Sequence, residues 1–170
     1  MHLWLRDADV DAQWRPFSLL EAKRDDDVGR PVWERDEYAD NISLLMLAGH
    51  ELVRDAGGDT GLYRARVFAA WHGSDERLDA GSVLRSMAAA GVDADRSALT
   101  AGRRLLGDRH DDAVARGVFG SSTIVFPSGR GSFVRFRAVP SRADAPAVLD
   151  ALRTLADDAP ELAQLEPLRR

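Results

Sequence analysis

The residues best suited to chemistry lie late in the chain, where Ser121, Ser122 and Thr123 follow one another before the apolar run 124–126. Hydroxyl groups at such a point either bond to nearby backbone groups or offer hydrogen bonds to a ligand. His110 lies shortly before them and can serve as a general base or as a helix cap. We predict that these four residues bind a ligand, and we assign no catalytic residue.

The same residues do not form the pattern of a serine hydrolase. In that class the nucleophile occupies a G-x-S-x-G turn between a strand and a helix. Here the string is G-S-S-T, and it leads into a predicted strand. A Ser-His-Asp triad is therefore not among our hypotheses.

The composition excludes several other chemistries. The chain contains no cysteine, which rules out disulfides, thiolate metal sites and a cysteine nucleophile within these residues. Its four histidines are far apart and form no HExxH pair, so we predict neither a metal site nor a cofactor. A net charge of −5 without a basic patch argues against nucleic acid as a partner.

Length and hydrophobicity indicate a single domain over residues 1–170. Of the 170 residues, 45% are hydrophobic, which suffices for a core. The chain has no apolar run of transmembrane length, and its start, MHLWLRDADVD, lacks the basic region of a signal peptide. We therefore expect no membrane contact and a cytoplasmic location.

Hydrophobic periodicity predicts a strand and then a block of helices. Partial alternation places the strand at Ala12–Leu20, followed by a charged surface loop that Trp33 anchors. Helical spacing covers Asp36–Ala56 and ends at Gly57, and a second helix covers Thr60–Trp71. The predicted inward face of this second helix consists of Leu62, Ala65, Phe68 and Ala69.

A third helix, shorter helical pieces, a hairpin and a last helix complete the prediction. The third helix begins at Asp79 or Ser82, and the short pieces continue to Arg116. The strings STIVF and SFVRFRAV, joined by the turn signal PSGRG, predict an antiparallel hairpin. An amphipathic helix follows, with Asp144 as its N-cap and Pro146 in its first turn.

Several strings in this order resemble the DsbA-like branch of the thioredoxin superfamily, which includes 2-hydroxychromene-2-carboxylate isomerases and related thiol-dependent reductases. The matching strings are LWLRD (3–7), WRPFSLLEAKR (14–24), WERDEY (33–38), HDDAVARGVFG (110–120) and STIVF (122–126). The resemblance implies an α/β fold: a thioredoxin-like sheet with an all-helical insertion at about residues 36–116. It also implies that the family's first β-strand, with its cysteine motif, would lie upstream of Met1 and is missing from this chain.

Two functions follow from the resemblance. The family's activity is thiol–disulfide exchange or thiol-dependent isomerisation, with a low-molecular-weight thiol or another small molecule as substrate. A homodimer is compatible with it. Since this chain has no cysteine, we expect it to lack that activity as it stands. The alternative is a redox-dead binding module that retains the family's cleft.

The resemblance also aligns Ser121, Ser122 and Thr123 with the loop that carries a cis-proline in the family and holds the substrate backbone. A cis bond before a residue other than proline costs about 2.5–4 kcal/mol. We therefore expect the Ser121–Ser122 bond to be trans. The absent central strand would expose unpaired backbone, which an upstream segment, a rearrangement or a partner chain would have to cover.

Overall fold

The computed structural model describes residues 10, 12–24, 29–73, 78–136, 138 and 140–159. They form two compact units. The helical unit is Arg15–Phe119, and the hairpin unit comprises the described residues up to Trp14 together with those from Gly120 onward. The string at 3–7 and the histidine at position 2 lie outside the described residues.

The helical unit contains six α-helices in its described part. Short 3-10 turns lie at Val32–Glu34, Asp36–Tyr38 and Gly102–Leu105. The helices are α1 (Leu19–Ala22), α2 (Ile42–Asp55), α3 (Thr60–Gly73), α4 (Ala80–Ala89), α5 (Arg96–Ala101) and α6 (Leu106–Ala115).

Local signals explain where these helices begin and end. The side chains of Asn41, Asp79 and Asp95 each accept a hydrogen bond from the backbone N–H three residues later, as N-caps do. After α4, Gly91 has a φ of +87°, a conformation that suits glycine better than other residues. The predicted helices at Asp36–Ala56 and Thr60–Trp71 are confirmed, with the first starting later than predicted.

The core of the helical unit forms around α2. Its main cluster brings together buried side chains of α2, α3, α4 and α5, among them Leu45, Ala48, Val53, Tyr63, Val67, Val83, Met87 and Leu99. A second cluster contains Val32, Trp33, Leu44 and Leu106. Trp33 is buried, so the prediction that it anchors its loop is confirmed.

The predicted inward face of α3 is wrong. Leu62 is 41% exposed and Ala65 is exposed, whereas Tyr63 and Val67 are buried. The Tyr63 hydroxyl donates a hydrogen bond to the backbone oxygen of Met46 (2.7 Å). Burying Tyr63 and Val67 and pairing the Tyr63 hydroxyl stabilises this rotation of the helix.

The hairpin unit contains strands β1 (Thr123–Val125) and β2 (Gly131–Phe133), which pair antiparallel with Ile124 opposite Ser132. The predicted hairpin is therefore confirmed, although its strands are short. Helix α7 (Ala145–Asp158) follows, as predicted, but the side chain of Asp144 makes no capping hydrogen bond. Ala145 is the buried centre of a cluster that includes Ala12, Trp14, Ile124, Phe136, Val148, Leu149 and Leu152.

The predicted α/β fold with a thioredoxin-like sheet is wrong for the described part of the chain, which is mostly helical and has a sheet of two strands. The strand predicted at Ala12–Leu20 is absent, and α1 begins at Leu19. Pro16 has no N–H to donate. Ser18 caps α1 by accepting from the Glu21 N–H, and its own N–H bonds to His110, so neither residue can join a β-ladder.

Candidate functional site

His110 lies in the middle of α6 rather than at a cap, and it is buried with 5% exposure. The Ser18 N–H donates a hydrogen bond to its Nδ1 atom (3.3 Å). Its ring stacks on Phe17, with centroids 4.8 Å apart, and lies 5.4 Å from the tilted ring of Trp33. His110 thus holds the segment before α1 against α6.

These contacts determine the protonation of His110. Burial lowers the pKa of the imidazole, while the charges of Glu21 and Asp111 act weakly in the opposite direction. Because Nδ1 accepts a hydrogen bond, the neutral ring carries its proton on Nε2. The structure therefore gives His110 a positioning role, and its predicted part in ligand binding stays a prediction.

The loop Ser121–Thr123 belongs to the hairpin unit, so it is considered apart from His110. The Thr123 hydroxyl donates to the backbone oxygen of Gly120 (2.7 Å) and is satisfied locally. The hydroxyls of Ser121 and Ser122 have no hydrogen-bond partner among the described residues. The Ser121–Ser122 peptide bond is cis, so the expectation of a trans bond is wrong.

The backbone at this loop presents a free strand edge within the described chain. Ser122 accepts from the Val134 N–H, and Phe126 donates to the Arg130 oxygen, so both face β2. In an antiparallel pair, alternate residues direct their backbone groups to opposite sides. The N–H and C=O groups of Thr123 and Val125 therefore point away from β2, and no described strand pairs with them.

A buried charged cluster in the helical unit is absent from the sequence-based predictions. Glu51 on α2 has no exposed surface. Its Oε2 atom accepts a hydrogen bond from Arg109 Nε (3.1 Å) and forms an ion pair with Arg54 Nη1 (2.5 Å). Its Oε1 atom lies 3.1 Å from Nδ1 of His50. His50 Nε2 lies 3.1 Å from Arg64. We call these five residues the Glu51 cluster.

One signal in the sequence could have revealed part of this cluster. Leu44, Ala48 and Glu51 have the i, i+4, i+7 spacing of one helix face, so a carboxylate falls on a buried stripe. A buried carboxylate needs a cationic partner. The partner Arg109 is 58 residues away, however, and local patterning does not predict such a pair.

The structure also bears on metal binding and on membrane-spanning helices. Within the residues that the structure describes, no group of three or more His, Asp or Glu side chains is arranged to hold a metal ion. No helix in the same part of the chain is long and apolar enough to cross a membrane.

Comparison with known proteins finds neither a family model nor a curated protein that matches this chain. The resemblance to the DsbA-like branch therefore rests on the short strings alone.

Proposed function

We propose that this chain is a redox-inactive binding module that holds a small peptide-like or thiol-bearing molecule along the loop Ser121–Thr123. One observation carries the proposal. At this point two serine hydroxyls without a described partner adjoin a strand edge whose backbone groups point outward.

This arrangement suits a ligand with an extended amide backbone. The Thr123 N–H can donate to a ligand carbonyl, and the Thr123 oxygen can accept from a ligand N–H, which adds a short strand to β1. The hydroxyls of Ser121 and Ser122 can then bond to a ligand carboxylate or amide, because a hydroxyl both donates and accepts. The ligand class agrees with the low-molecular-weight thiol that the DsbA-like resemblance implies.

Binding without turnover follows from the available groups. Thiol–disulfide exchange requires an attacking thiolate, and these 170 residues contain no cysteine. His110 is buried, and its Nδ1 atom is occupied by the Ser18 N–H. The Thr123 hydroxyl is already bonded to Gly120. Among these candidates, the described structure leaves hydrogen-bond donors and acceptors but no activated nucleophile.

The serine hydroxyls give the first prediction. The double variant Ser121→Ala, Ser122→Ala should bind reduced glutathione, our probe for a peptide-like thiol, about tenfold more weakly than the unchanged chain, since each lost hydrogen bond contributes about 0.5–1.5 kcal/mol. Isothermal titration calorimetry measures the affinity. Ser43→Ala, at an exposed serine of α2, is the matched control and should bind normally. Equal affinity in the double variant would refute the site.

A further inference from the structure

The Glu51 cluster joins three elements of the helical unit through one chain of hydrogen bonds. Arg64 comes from α3, His50, Glu51 and Arg54 come from α2, and Arg109 comes from α6. Both oxygens of Glu51 are engaged, one by the His50 ring and the other by two arginines. A fully buried carboxylate with both oxygens bonded has a fixed position, so it fixes the arginines that bind it.

Two guanidinium groups from different helices thus converge on a single oxygen atom, Glu51 Oε2. Arg54 and Arg109 also reach solvent, with side chains 30% and 40% exposed. Nε of Arg109 and Nη1 of Arg54 contact the buried carboxylate, while Nε and Nη2 of Arg54 bond to Asp55. Two partly exposed guanidinium groups are thus held close together, which reduces the entropy cost of ordering them upon binding.

Arg109 keeps hydrogen-bond donors that a ligand could use. Its Nε atom bonds to Glu51, whereas its two terminal nitrogens have no hydrogen-bond partner among the described residues. Asp112, one turn further along α6, accepts hydrogen bonds from Arg15 and Arg116, and no bond to Arg109 occurs among the described residues. The four N–H groups on these terminal nitrogens therefore stay available to an oxyanion.

The charges around the Glu51 cluster limit the charge of the anion that it can bind. Asp55 pairs with the outer side of Arg54 through its Oδ1 atom (2.7 Å), and Asp59 interacts electrostatically with Arg64. These carboxylates and Glu51 offset much of the positive charge, which argues against a polyanion. A single compact anion that reaches Arg109 and the edge of Arg54 fits this balance.

We propose that Arg109 and Arg54, positioned by Glu51, form a surface site for a small molecule bearing a phosphate group. A guanidinium fork matches two oxygens of a tetrahedral oxyanion, and charge-assisted hydrogen bonds to phosphate are stronger than neutral ones. This site lies in the helical unit and is independent of the loop Ser121–Thr123.

The test is titration of the full chain with inorganic phosphate at constant ionic strength, followed by amide NMR shifts. Arg109→Gln should weaken phosphate binding about tenfold or more, and Arg109→Lys should weaken it less, because it keeps the charge but loses the fork. Arg116→Gln is the matched control: Arg116 follows the same helix and is 50% exposed, but it bonds to Asp112 rather than to Glu51. It should leave phosphate binding unchanged.

Three results would overturn the proposal. They are no saturable binding of phosphate to the unchanged chain, equal losses in Arg109→Gln and Arg116→Gln, or acetate binding as tightly as phosphate. Circular dichroism establishes that each variant is folded, and Arg109→Lys provides the comparison if Arg109→Gln fails to fold.

Discussion

His110 and Glu51 show how a partner on another element determines what a single polar residue can do. The Ser18 N–H occupies the acceptor of His110, and its burial disfavours the charged imidazolium. Glu51 has no exposed surface, but Arg54 and Arg109 compensate its buried carboxylate. Burial therefore disfavours the charged form of His110, whereas the carboxyl group of Glu51 is buried together with cationic partners.

The lowered pKa of His110 predicts that the free energy of unfolding decreases in acid. Its pKa is lowered in the folded chain, so the unfolded chain binds more protons as the pH falls below about 6.5, the ordinary histidine pKa. The stabilisation from neutral His110 is complete above that pH and is lost as the pH falls through the folded-state pKa. His110→Gln keeps a side-chain oxygen but cannot titrate. The free energy of unfolding of the His110→Gln variant should therefore decline less than that of the unchanged chain between about pH 7 and pH 5.

Urea unfolding at several pH values measures this slope. His72→Gln, at an exposed histidine of α3, is the control and should keep the pH dependence of the unchanged chain. If His110→Gln and the unchanged chain lost stability in parallel, the buried neutral imidazole would be the wrong description.

Among the elements, α2 is the centre of the helical unit, and its contacts depend on close packing at one glycine. A Cβ atom on Gly49 would overlap the Tyr63 hydroxyl and lie 3.0 Å from Val83 Cγ1. Tyr63 cannot easily yield, because its hydroxyl bonds to the Met46 oxygen. The glycine therefore sets the distance at which α3 and α4 pack on α2.

Gly49→Ala should destabilise the chain by about 1–3 kcal/mol, the usual cost of overpacking a core, even though alanine favours a helix. Gly81→Ala in α4 is the control, since its Cβ atom would meet only the ends of Arg85 and Asp79 side chains at 3.3 Å. That variant should be as stable as the unchanged chain or slightly more stable. Thermal melts compare them, and a stabilised Gly49→Ala would contradict the packing described for α2.

The elements also show how far local sequence signals reach. Caps such as Asp79 and turns such as Gly91 act over a few residues, so the helix positions were predictable. The buried face of α3 was not, because it depends on the bond from Tyr63 to a carbonyl on α2. The prediction of a strand at Ala12–Leu20 was wrong because of another distant contact. The Ser18 N–H, which a β-ladder would need, bonds to His110, 92 residues away.

At the scale of the whole molecule, candidate residues divide between two units. His110 and the Glu51 cluster belong to the helical unit, and the loop Ser121–Thr123 belongs to the hairpin unit. The sequence predicted the loop and its hairpin from turn signals and β-branched residues. It did not predict the Glu51 cluster, whose members come from three helices and meet only through tertiary packing.

Amide NMR of the full chain, titrated with reduced glutathione, tests the central claim most directly because it maps the site and monitors the ligand in one experiment. Binding along the edge of β1 should shift the amides of Gly120, Ser121, Thr123 and Val125 in a saturable way. The glutathione signals should remain those of the reduced thiol, with oxidation no faster than in buffer. Shifts confined to the helical unit, no saturable shifts, or protein-dependent conversion of the thiol would contradict a redox-inactive binding module at this loop.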